Sequence, residues 1–331
     1  MNTQPNRIFW HNGNLIEGNT LELAIDDPGL LYGATVFTTL RVYDGNLDHP
    51  KTNWLGHIHR LISSLQAFDW QMPNWELVRQ GAEILKQHYP VLRITIFADG
   101  REWITGRNLP ADLTERQKCG IAAWVAEGGE FGSLSNQKLD QIPPSANALG
   151  GKVPPLLRGV RGDRVSSDRY WEGGEWTRSL PTHKTGNYLT PWLGLQQAQK
   201  YGAKEAILVD ASGNWLETNT GNLWGWRDGR WWTPPLDAGI LPGLMREQLI
   251  NRLHAQNETV GEAPWTADFV AGLEALAYSN SVVEVVPIHT IVRSRWAEEQ
   301  RSRGAEGQVS SPITNYQLPI THHPAFQKLH L

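Results

Sequence analysis

A lysine stands in a local sequence that suits a chemical role. Lys184 lies in Thr182-His-Lys-Thr-Gly-Asn-Tyr-Leu189, where an irregular segment ends and a predicted helix begins. Taken alone it could be an ordinary surface lysine, but two motifs accompany it downstream. Glu217-Thr-Asn-Thr-Gly-Asn222 follows a predicted strand, and Leu241-Pro-Gly-Leu-Met-Arg246 places Pro-Gly directly before a predicted helix. An amine with these companions predicts a site for covalent chemistry at the lysine.

The three motifs fit an enzyme whose lysine binds pyridoxal 5'-phosphate through a Schiff base and uses this cofactor as an electron sink. Such a site needs a reactive amine, an acid that keeps the pyridine nitrogen protonated, and donors for a phosphate. The helix N-terminus after Leu241-Pro-Gly243 offers free backbone N–H groups to the phosphate. Arg60, on a predicted helix, can add a charge-assisted bidentate contact. We therefore predict pyridoxal 5'-phosphate as the cofactor.

The elements that must position these residues begin with a block over residues 1–127. Strands and helices follow one another there without strict alternation, which predicts a small α/β domain within an α+β (α/β) fold class. The expected elements are a hairpin turning at Asn12-Gly13, a strand over 36–43 that ends at the turn Asp44-Gly45, helices over 54–68 and 75–88, and strands over 92–97 and 121–125.

Residues 128–295 predict a larger, β-rich, barrel-like domain that carries Lys184. Its first part, residues 128–182, is rich in Gly, Pro, Ser and Arg, and is expected to connect the domains and cover a site; for residues 130–155 the alternative is a disordered surface insertion. The remaining elements are a helix over 187–201, strands over 205–210, 215–226 and 230–233, and a helix over 243–254. Residues 296–331 are charged and predict a C-terminal extension or tail.

Composition excludes several classes of protein. The 30 Lys and Arg residues against 34 Asp and Glu residues leave a net charge of −4, so no nucleic-acid partner is expected. No stretch approaches the roughly 20 apolar residues of a membrane span. With one cysteine, Cys119, and no pattern of a signal peptide, we expect a cytoplasmic enzyme that acts on a small molecule. The histidine pairs at 57/59 and 322/323 lack the spacing of a metal site, so no metal is expected.

The combined spacing of Arg60 and the motifs at 184–188, 217–222 and 241–246 resembles the fold-type IV pyridoxal-phosphate enzymes. That family groups branched-chain aminotransferases, D-amino acid aminotransferases and 4-amino-4-deoxychorismate lyases. The resemblance covers almost the whole chain, residues 8–290. It implies a small N-terminal α/β domain, a larger pseudobarrel domain, the cofactor between them, and a homodimer.

The resemblance also implies roles for individual residues. Lys184 is similar to the Schiff-base lysine that also moves the proton, and Glu217 to the partner of the pyridine nitrogen. The other residues implied to bind the cofactor are Arg60 through its guanidinium, Leu244 and Met245 through backbone N–H groups, Ser281 through its hydroxyl, and Tyr188 through its ring.

Three local differences favour the lyases over the aminotransferases. Lys184-Thr-Gly-Asn-Tyr188 is one residue shorter than the branched-chain pattern, Phe37-Thr-Thr-Leu-Arg41 replaces an aromatic-Glu pair, and Ser279-Asn-Ser281 replaces Gly-Thr. The resemblance therefore implies an aminodeoxychorismate lyase, which forms 4-aminobenzoate and pyruvate in folate biosynthesis. A class IV aminotransferase acting on branched-chain or D-amino acids is the alternative.

A dicarboxylate-like substrate needs cationic or hydroxyl partners. We expect these from Thr38, assigned a catalytic role, and from Thr39, Arg41 and Asn280, assigned to substrate binding. The alternative is that Thr38 and Thr39 are simply good strand formers.

Overall fold

The computed structural model describes residues 7–126, 176–294, 313–317 and 323–329. The first of these ranges contains β1 (Ile8–His11), β2 (Asn14–Glu17), α1 (Pro28–Leu31), β3 (Thr35–Arg41), α2 (Trp54–Ala67), α3 (Trp75–Leu85), β4 (Val91–Phe97), β5 (Glu102–Arg107), α4 (Leu113–Cys119) and β6 (Ile121–Val125). The others contain α5 (Leu189–Lys200), β7 (Glu205–Val209), β8 (Trp215–Thr218), β9 (Asn222–Arg227), β10 (Arg230–Thr233), α6 (Leu244–Ala255), β11 (Val260–Glu262), α7 (Ala267–Ala271), β12 (Ala275–Asn280), β13 (Glu284–Ser294), β14 (Ile313–Gln317) and α8 (Phe326–Leu329).

The first sheet is antiparallel and has the order β2-β1-β5-β4-β3. The predicted hairpin at its start is confirmed, with Asn12 and Gly13 at φ 47° and 76°, the positive values that a tight two-residue turn requires. The turn at Asp44-Gly45 is confirmed in the same way, at φ 51° and 63°. Helices α2 and α3 lie where the sequence predicts them, whereas β5, α1 and α4 were not predicted.

The two faces of the first sheet have different neighbours. Leu40, Leu92 and Ile94 point toward α2 and α3 and are fully buried in one apolar cluster with residues of those helices. Since strand side chains alternate, Thr39 and Arg93, which pair across β3 and β4, point to the opposite face. That second face is the one that meets the rest of the chain.

The second sheet closes on itself, as the barrel-like prediction requires. Its order is β11-β10-β9-β12-β13-β6-β7-β8, and β8 pairs in addition with β9, where Glu217 lies opposite Asn222. Parallel pairs, β13 with β6 and β6 with β7, occur beside antiparallel ones. All five residues of β7 are buried, because the barrel interior covers one face and α5 the other. The fold is of the α+β class with a β-barrel-like sheet.

The single strand predicted over 215–226 is two strands, β8 and β9. A tight turn separates them because Thr218 binds Gly221 twice: its N–H donates to the Gly221 carbonyl at 2.7 Å, and its Oγ1 accepts from the Gly221 N–H at 2.9 Å. A Cβ on Gly221 would lie 2.2 Å from the Ser279 carbonyl oxygen, so only glycine lets this turn approach β12. The turn brings Glu217 and Asn222 next to each other.

Two further observations concern the expected blocks. Strand β6 belongs by its pairing to the second sheet, so a division by sheets runs between β5 and β6, ahead of residue 127. Within the predicted tail, β14 pairs with β13, and Phe326 of α8 packs against Trp231 at 5.4 Å between ring centroids. The arginines at 158, 161, 164 and 169, and most of the segment expected to cover the site, lie outside the described residues. In the described part of the chain, no helix is long and apolar enough to cross a membrane.

Candidate active site

A cavity of about 290 Å³ lies where the two sheets meet. Residues of both halves line it, among them Arg60 from α2, Lys184, Glu217 and Met245. Its volume is at the lower end of the range for small-molecule sites in proteins. The motifs that the sequence analysis singled out therefore converge on one pocket.

Lys184 reaches the cavity because its segment pairs with the free edge of β3. The Phe37 N–H donates to the Lys184 carbonyl at 2.8 Å, and the Gly186 N–H donates to the Thr35 carbonyl at 2.7 Å. A Cβ on Gly186 would lie 2.2 Å from Thr35 Oγ1, so the close approach of the two backbones needs this glycine. Lys184 Nζ lies 4.8 Å from the ring centroid of Phe37 and 5.1 Å from that of Tyr188.

The environment of Lys184 favours its neutral form. Burial lowers the pKa of its ammonium group well below the ordinary value, and the nearby charges of Arg178 and Arg60 lower it further, against a smaller opposing effect of Glu217. An amine that is neutral near pH 7 is a nucleophile and can accept a proton. This is the state that a lysine needs to attack a carbonyl carbon.

Glu217 is buried on β8, and its carboxylate accepts hydrogen bonds from two donors. Arg178 Nε donates to its Oε1 at 2.6 Å, and the Leu241 N–H donates to its Oε2 at 3.4 Å. Arg178 was not predicted, because it lies in an irregular segment with no motif around it. Its Nη2 also donates to the hydroxyl of Tyr188 at 3.4 Å, and that hydroxyl donates to the Asn219 carbonyl at 2.5 Å. Arg178 therefore fixes both the Glu217 carboxylate and the Tyr188 ring beside Lys184.

The opposite end of the cavity offers donors for an anion. Arg60 Nε is buried and has no hydrogen-bond partner, although Arg60 Nη2 donates to Thr38 Oγ1 at 2.6 Å. Helix α6 begins after Gly243, which has no side chain to cap the first turn, and Leu244 and Met245 of that turn line the cavity. Unpartnered N–H groups at a helix N-terminus beside a buried guanidinium suit a phosphate.

The start of α6 is held by β9. Asn222 Nδ2 donates to the Leu241 carbonyl at 2.8 Å, and a Cβ on Gly243 would lie 2.0 Å from Asn222 Oδ1. Gly243 is therefore required for this close approach. Ser281 lines the same cavity, as the resemblance implied.

Two of the residues expected to bind substrate also line the cavity, Thr39 and Asn280. The Asn280 side chain is oriented by three bonds. Its Oδ1 accepts from the N–H groups of Val282 and Val283 at 2.9 and 3.0 Å, and its Nδ2 donates to Thr220 Oγ1 at 3.2 Å.

The structure places the Thr38 and Arg41 side chains outside the cavity, so it does not support the roles expected for them. Thr38 points to the helix face of the sheet, because it alternates with Phe37 and Thr39, which face the cavity. Arg41 Nη1 donates to Glu284 Oε1 at 3.1 Å, so a carboxylate of the protein already holds its charge. Neither side chain lines the cavity.

Among the charged residues of the cavity that were not predicted are Arg93, Arg107 and Glu205. Burial lowers the pKa of both arginines, and burial raises the pKa of Glu205 to about 7. Glu205 Oε1 accepts from Thr220 Oγ1 at 2.8 Å, while its Oε2 has no partner. Strand alternation was the only available signal for the arginines, since Arg93 lies between the buried Leu92 and Ile94 on the opposite face, and Arg107 lies on the face opposite the buried Ile104.

Comparison with known proteins gives a family for this arrangement. Residues 175–291 match the family model described as amino-transferase class IV. This part of the chain is similar to the class IV aminotransferases. The matched range includes Lys184, Glu217 and the start of α6, the residues on which the predicted cofactor site depends. The protein is accordingly a pyridoxal-phosphate-dependent enzyme, and the unpartnered Arg60 Nε, the uncapped start of α6 and the neutral lysine fit that cofactor.

Curated proteins similar to this chain include two kinds of enzyme. The chain is 26% identical over 311 residues to the aminodeoxychorismate lyase of Bacillus subtilis, covering 92% of each chain. It is 22% identical over 296 residues to the branched-chain-amino-acid aminotransferase of Escherichia coli, covering 88% of this chain and 87% of the relative. The crystal structure of the Escherichia coli branched-chain amino acid aminotransferase shares the fold, with a TM-score of 0.63, 20% identity and 86% coverage of both chains.

Proposed function

We propose that the protein is an aminodeoxychorismate lyase, which converts 4-amino-4-deoxychorismate into 4-aminobenzoate and pyruvate in folate biosynthesis. The reaction is an elimination in which the atoms of one substrate are divided between two products, so it needs no second substrate. A class IV aminotransferase acting on branched-chain or D-amino acids is the second candidate, and the likeness to the Escherichia coli enzyme supports it.

The observation that carries the lyase proposal is the pair of arginines on the cavity face of the first sheet. Arg93 lies flat against Phe37, with its guanidinium carbon 3.6 Å from the ring centroid, and Arg107 follows on the neighbouring strand β5. Within the described part of the chain, neither arginine forms an ion pair with a carboxylate. Two neighbouring cations that no carboxylate of the described residues neutralises favour a ligand with more than one negative charge. The proposed substrate carries two carboxylates.

The positive charges are distributed so that the cofactor phosphate and the substrate carboxylates can each bind to different arginines. Arg60 and the start of α6 lie at the phosphate end, whereas Arg93 and Arg107 belong to the sheet face beside Phe37. Lys184 Nζ lies over the same Phe37 ring, on which Arg93 also stacks. A substrate bound by these arginines through its carboxylates would therefore be held close to the lysine.

The residues of the chain would divide the chemistry as follows. When bound, pyridoxal phosphate withdraws electrons from the carbon that bears the substrate's amino group. Lys184 Nζ, neutral in its buried site, would take the proton from that ring carbon. Glu217, held by Arg178 Nε and the Leu241 N–H, would accept a hydrogen bond from the protonated pyridine nitrogen. Arg60 and the start of α6 would bind the phosphate and Tyr188 would pack beside it, so the lysine stays aligned with the reacting carbon.

The quaternary state and the compartment belong to the same proposal. Ile25, Leu30, Leu31 and Tyr32 are exposed in and around α1, as are Leu189 and Trp192 at the start of α5. A Cβ on Gly33 would lie 3.1 Å from the Asn187 nitrogen, so the two segments lie close to each other. An exposed apolar surface of this kind supports an interface between two copies of the chain. We therefore propose a homodimer in the cytoplasm.

The deciding experiment is product release without a 2-oxo acid. The purified protein is supplied with pyridoxal phosphate and enzymatically generated 4-amino-4-deoxychorismate, and 4-aminobenzoate and pyruvate are measured together. Equal, catalytic release of both products supports the lyase. No release, combined with amino transfer from leucine, alanine or D-alanine to a 2-oxo acid, would instead support the aminotransferase.

A variant pair tests the carboxylate subsite. Arg107→Met should raise KM for 4-amino-4-deoxychorismate by roughly tenfold or more, because a hydrogen bond between charged groups is lost. Arg230→Met removes an exposed arginine of β10 outside the cavity and should leave KM unchanged. Equal KM values for the wild type and Arg107→Met would contradict the placement of a substrate carboxylate at Arg107.

A further inference from the structure

Arg60 is hydrogen-bonded to Thr38, and Thr38 is in turn hydrogen-bonded to His57. Neither Thr38 nor His57 lines the cavity. Thr38, on β3, and His57, on α2, are both buried between the sheet and the helix. Thr38 Oγ1 lies 2.5 Å from His57 Nδ1 and accepts from Arg60 Nη2 at 2.6 Å. We infer that Thr38 and His57 are positioning residues that aim Arg60 at the cofactor phosphate, and that Thr38 does not contact the substrate.

The direction of each hydrogen bond follows from the chemistry of the three groups. A guanidinium only donates, so Thr38 Oγ1 is the acceptor of the bond from Arg60. The Thr38 hydroxyl has one proton, and His57 Nδ1 is the acceptor that the described residues provide for it. Nδ1 must then be unprotonated, which makes His57 a neutral imidazole with its proton on Nε2. Burial lowers the pKa of His57 well below its ordinary value, helped by the charges of Arg60 and Lys184, in agreement with this assignment.

The arrangement leaves the rest of the guanidinium for a ligand. Arg60 Nη2 is engaged by Thr38, whereas its buried Nε has no partner. Burial, together with the charge of Arg178, lowers the pKa of Arg60 to about 10, so Arg60 is still a cation at neutral pH. An arginine side chain has several rotatable bonds, and the bond to Thr38 removes much of that freedom before the phosphate arrives. Loss of the bond should therefore weaken binding of the phosphate without altering the lysine.

The inference applies equally to a lyase and to an aminotransferase, because it concerns the cofactor and not the substrate. Its test is equilibrium dialysis of the full-length, cofactor-free protein against pyridoxal phosphate and, separately, against pyridoxal, which lacks the phosphate. Thr38→Val replaces the hydroxyl by a methyl group of similar size. It should raise the Kd of pyridoxal phosphate by about ten- to a hundredfold and leave the Kd of pyridoxal unchanged.

Four further variants separate positioning from a general loss of structure. Thr38→Ser retains a hydroxyl and should restore the affinity for pyridoxal phosphate. His57→Asn retains an acceptor near the Nδ1 position and should bind pyridoxal phosphate more tightly than His57→Leu. Thr105→Val makes the same chemical change on β5, at a residue that does not line the cavity, and should leave the Kd of pyridoxal phosphate at the wild-type value.

Two results would overturn the inference. If Thr38→Val binds pyridoxal phosphate like the wild type and lowers only kcat, Thr38 acts on the substrate or its proton. If Thr38→Val weakens pyridoxal and pyridoxal phosphate equally, Thr38 supports the fold and not Arg60. Neither result depends on which reaction the enzyme catalyses, so failure of the inference is distinct from failure of the lyase proposal.

Discussion

The buried ion pair between Arg178 and Glu217 gives the sharpest prediction about stability. Arg178 Nε lies 2.6 Å from Glu217 Oε1, and the two side chains are only 7% and 3% exposed. Removing one partner of such a pair costs roughly 3–5 kcal/mol, because the other charge stays buried without compensation. We predict a loss in this range for the free energy of unfolding of Glu217→Gln in the cofactor-free protein.

The two single variants should lose different amounts of stability. Glu217→Gln leaves Arg178 next to Arg60 and Lys184 without the carboxylate that compensates them. Arg178→Met leaves Glu217 with Lys184 nearby, and loss of the Arg178 charge removes one cause of the lowered pKa of that lysine. A lysine that regains its proton can partly compensate Glu217. Arg178→Met should therefore be the less destabilising of the two substitutions.

The double variant Arg178→Met/Glu217→Gln measures the interaction itself. Because neither buried charge remains, its loss of stability should be smaller than the sum of the single losses by about 2–3 kcal/mol. Urea unfolding followed by tryptophan fluorescence gives the four free energies, and the chain's 16 tryptophans supply the signal. The slope of free energy against urea should be the same for all four proteins.

A surface pair provides the matched control. Arg79 Nη2 lies 2.7 Å from Asp48 Oδ2, a comparable distance, but the two side chains are 31% and 69% exposed. Water screens such a pair, so the cycle of Arg79→Met and Asp48→Asn should give a much smaller coupling than the buried pair. A coupling for Arg178 and Glu217 no larger than that of this surface pair would refute the reasoning that burial makes their interaction strong.

Two predictions concern pH. The native pKa of Lys184 is lowered, so the native state binds fewer protons than the unfolded chain, and stability rises with pH up to the pKa of the unfolded chain. Lys184→Met should therefore raise the free energy of unfolding at pH 7 and flatten this rise. Urea unfolding that is unchanged by the substitution would contradict the prediction. The native pKa of Glu205 is raised to about 7, so stability is lost as the pH rises from about 4.5 through 7. Glu205→Gln should remove this loss. A variant that is no more stable than the wild type at pH 8 would contradict this prediction.

The site residues that the sequence predicted are those with a local signature. Lys184 and Glu217 each lie at the boundary of an element, in a short run of small and polar residues, and Pro-Gly marks the start of α6. Arg93 and Arg107 have no such run around them. They share a face only because β4 and β5 pair so that Arg93 lies opposite Thr105, two residues before Arg107. The pairing of two strands cannot be predicted from the sequence of either strand alone.

Thr38 and Thr39 illustrate the limit of motif reasoning most directly. The pattern Phe-Thr-Thr-x-Arg identified the correct strand, but it did not say which threonine faces the cavity. The period of two along a strand puts adjacent residues on opposite faces, and only the packing of α2 decides which face is which. The same limit applies to the closure of the barrel, since one uninterrupted strand over 215–226 could not have paired Glu217 with Asn222.

The positive charges of the cavity link binding to the reactivity of Lys184. Arg178, Arg60 and Arg93 all contribute to the lowered pKa of the lysine, and the latter two are also candidates to bind the anionic groups of cofactor and substrate. An anion at either arginine opposes its effect on the lysine, so the pKa of Lys184 should rise as the cavity fills. The amine is then least protonated before the substrate's carboxylates bind, and becomes a stronger base once they are bound. One set of arginines can in this way serve both the attack on the carbonyl carbon and the later proton transfer.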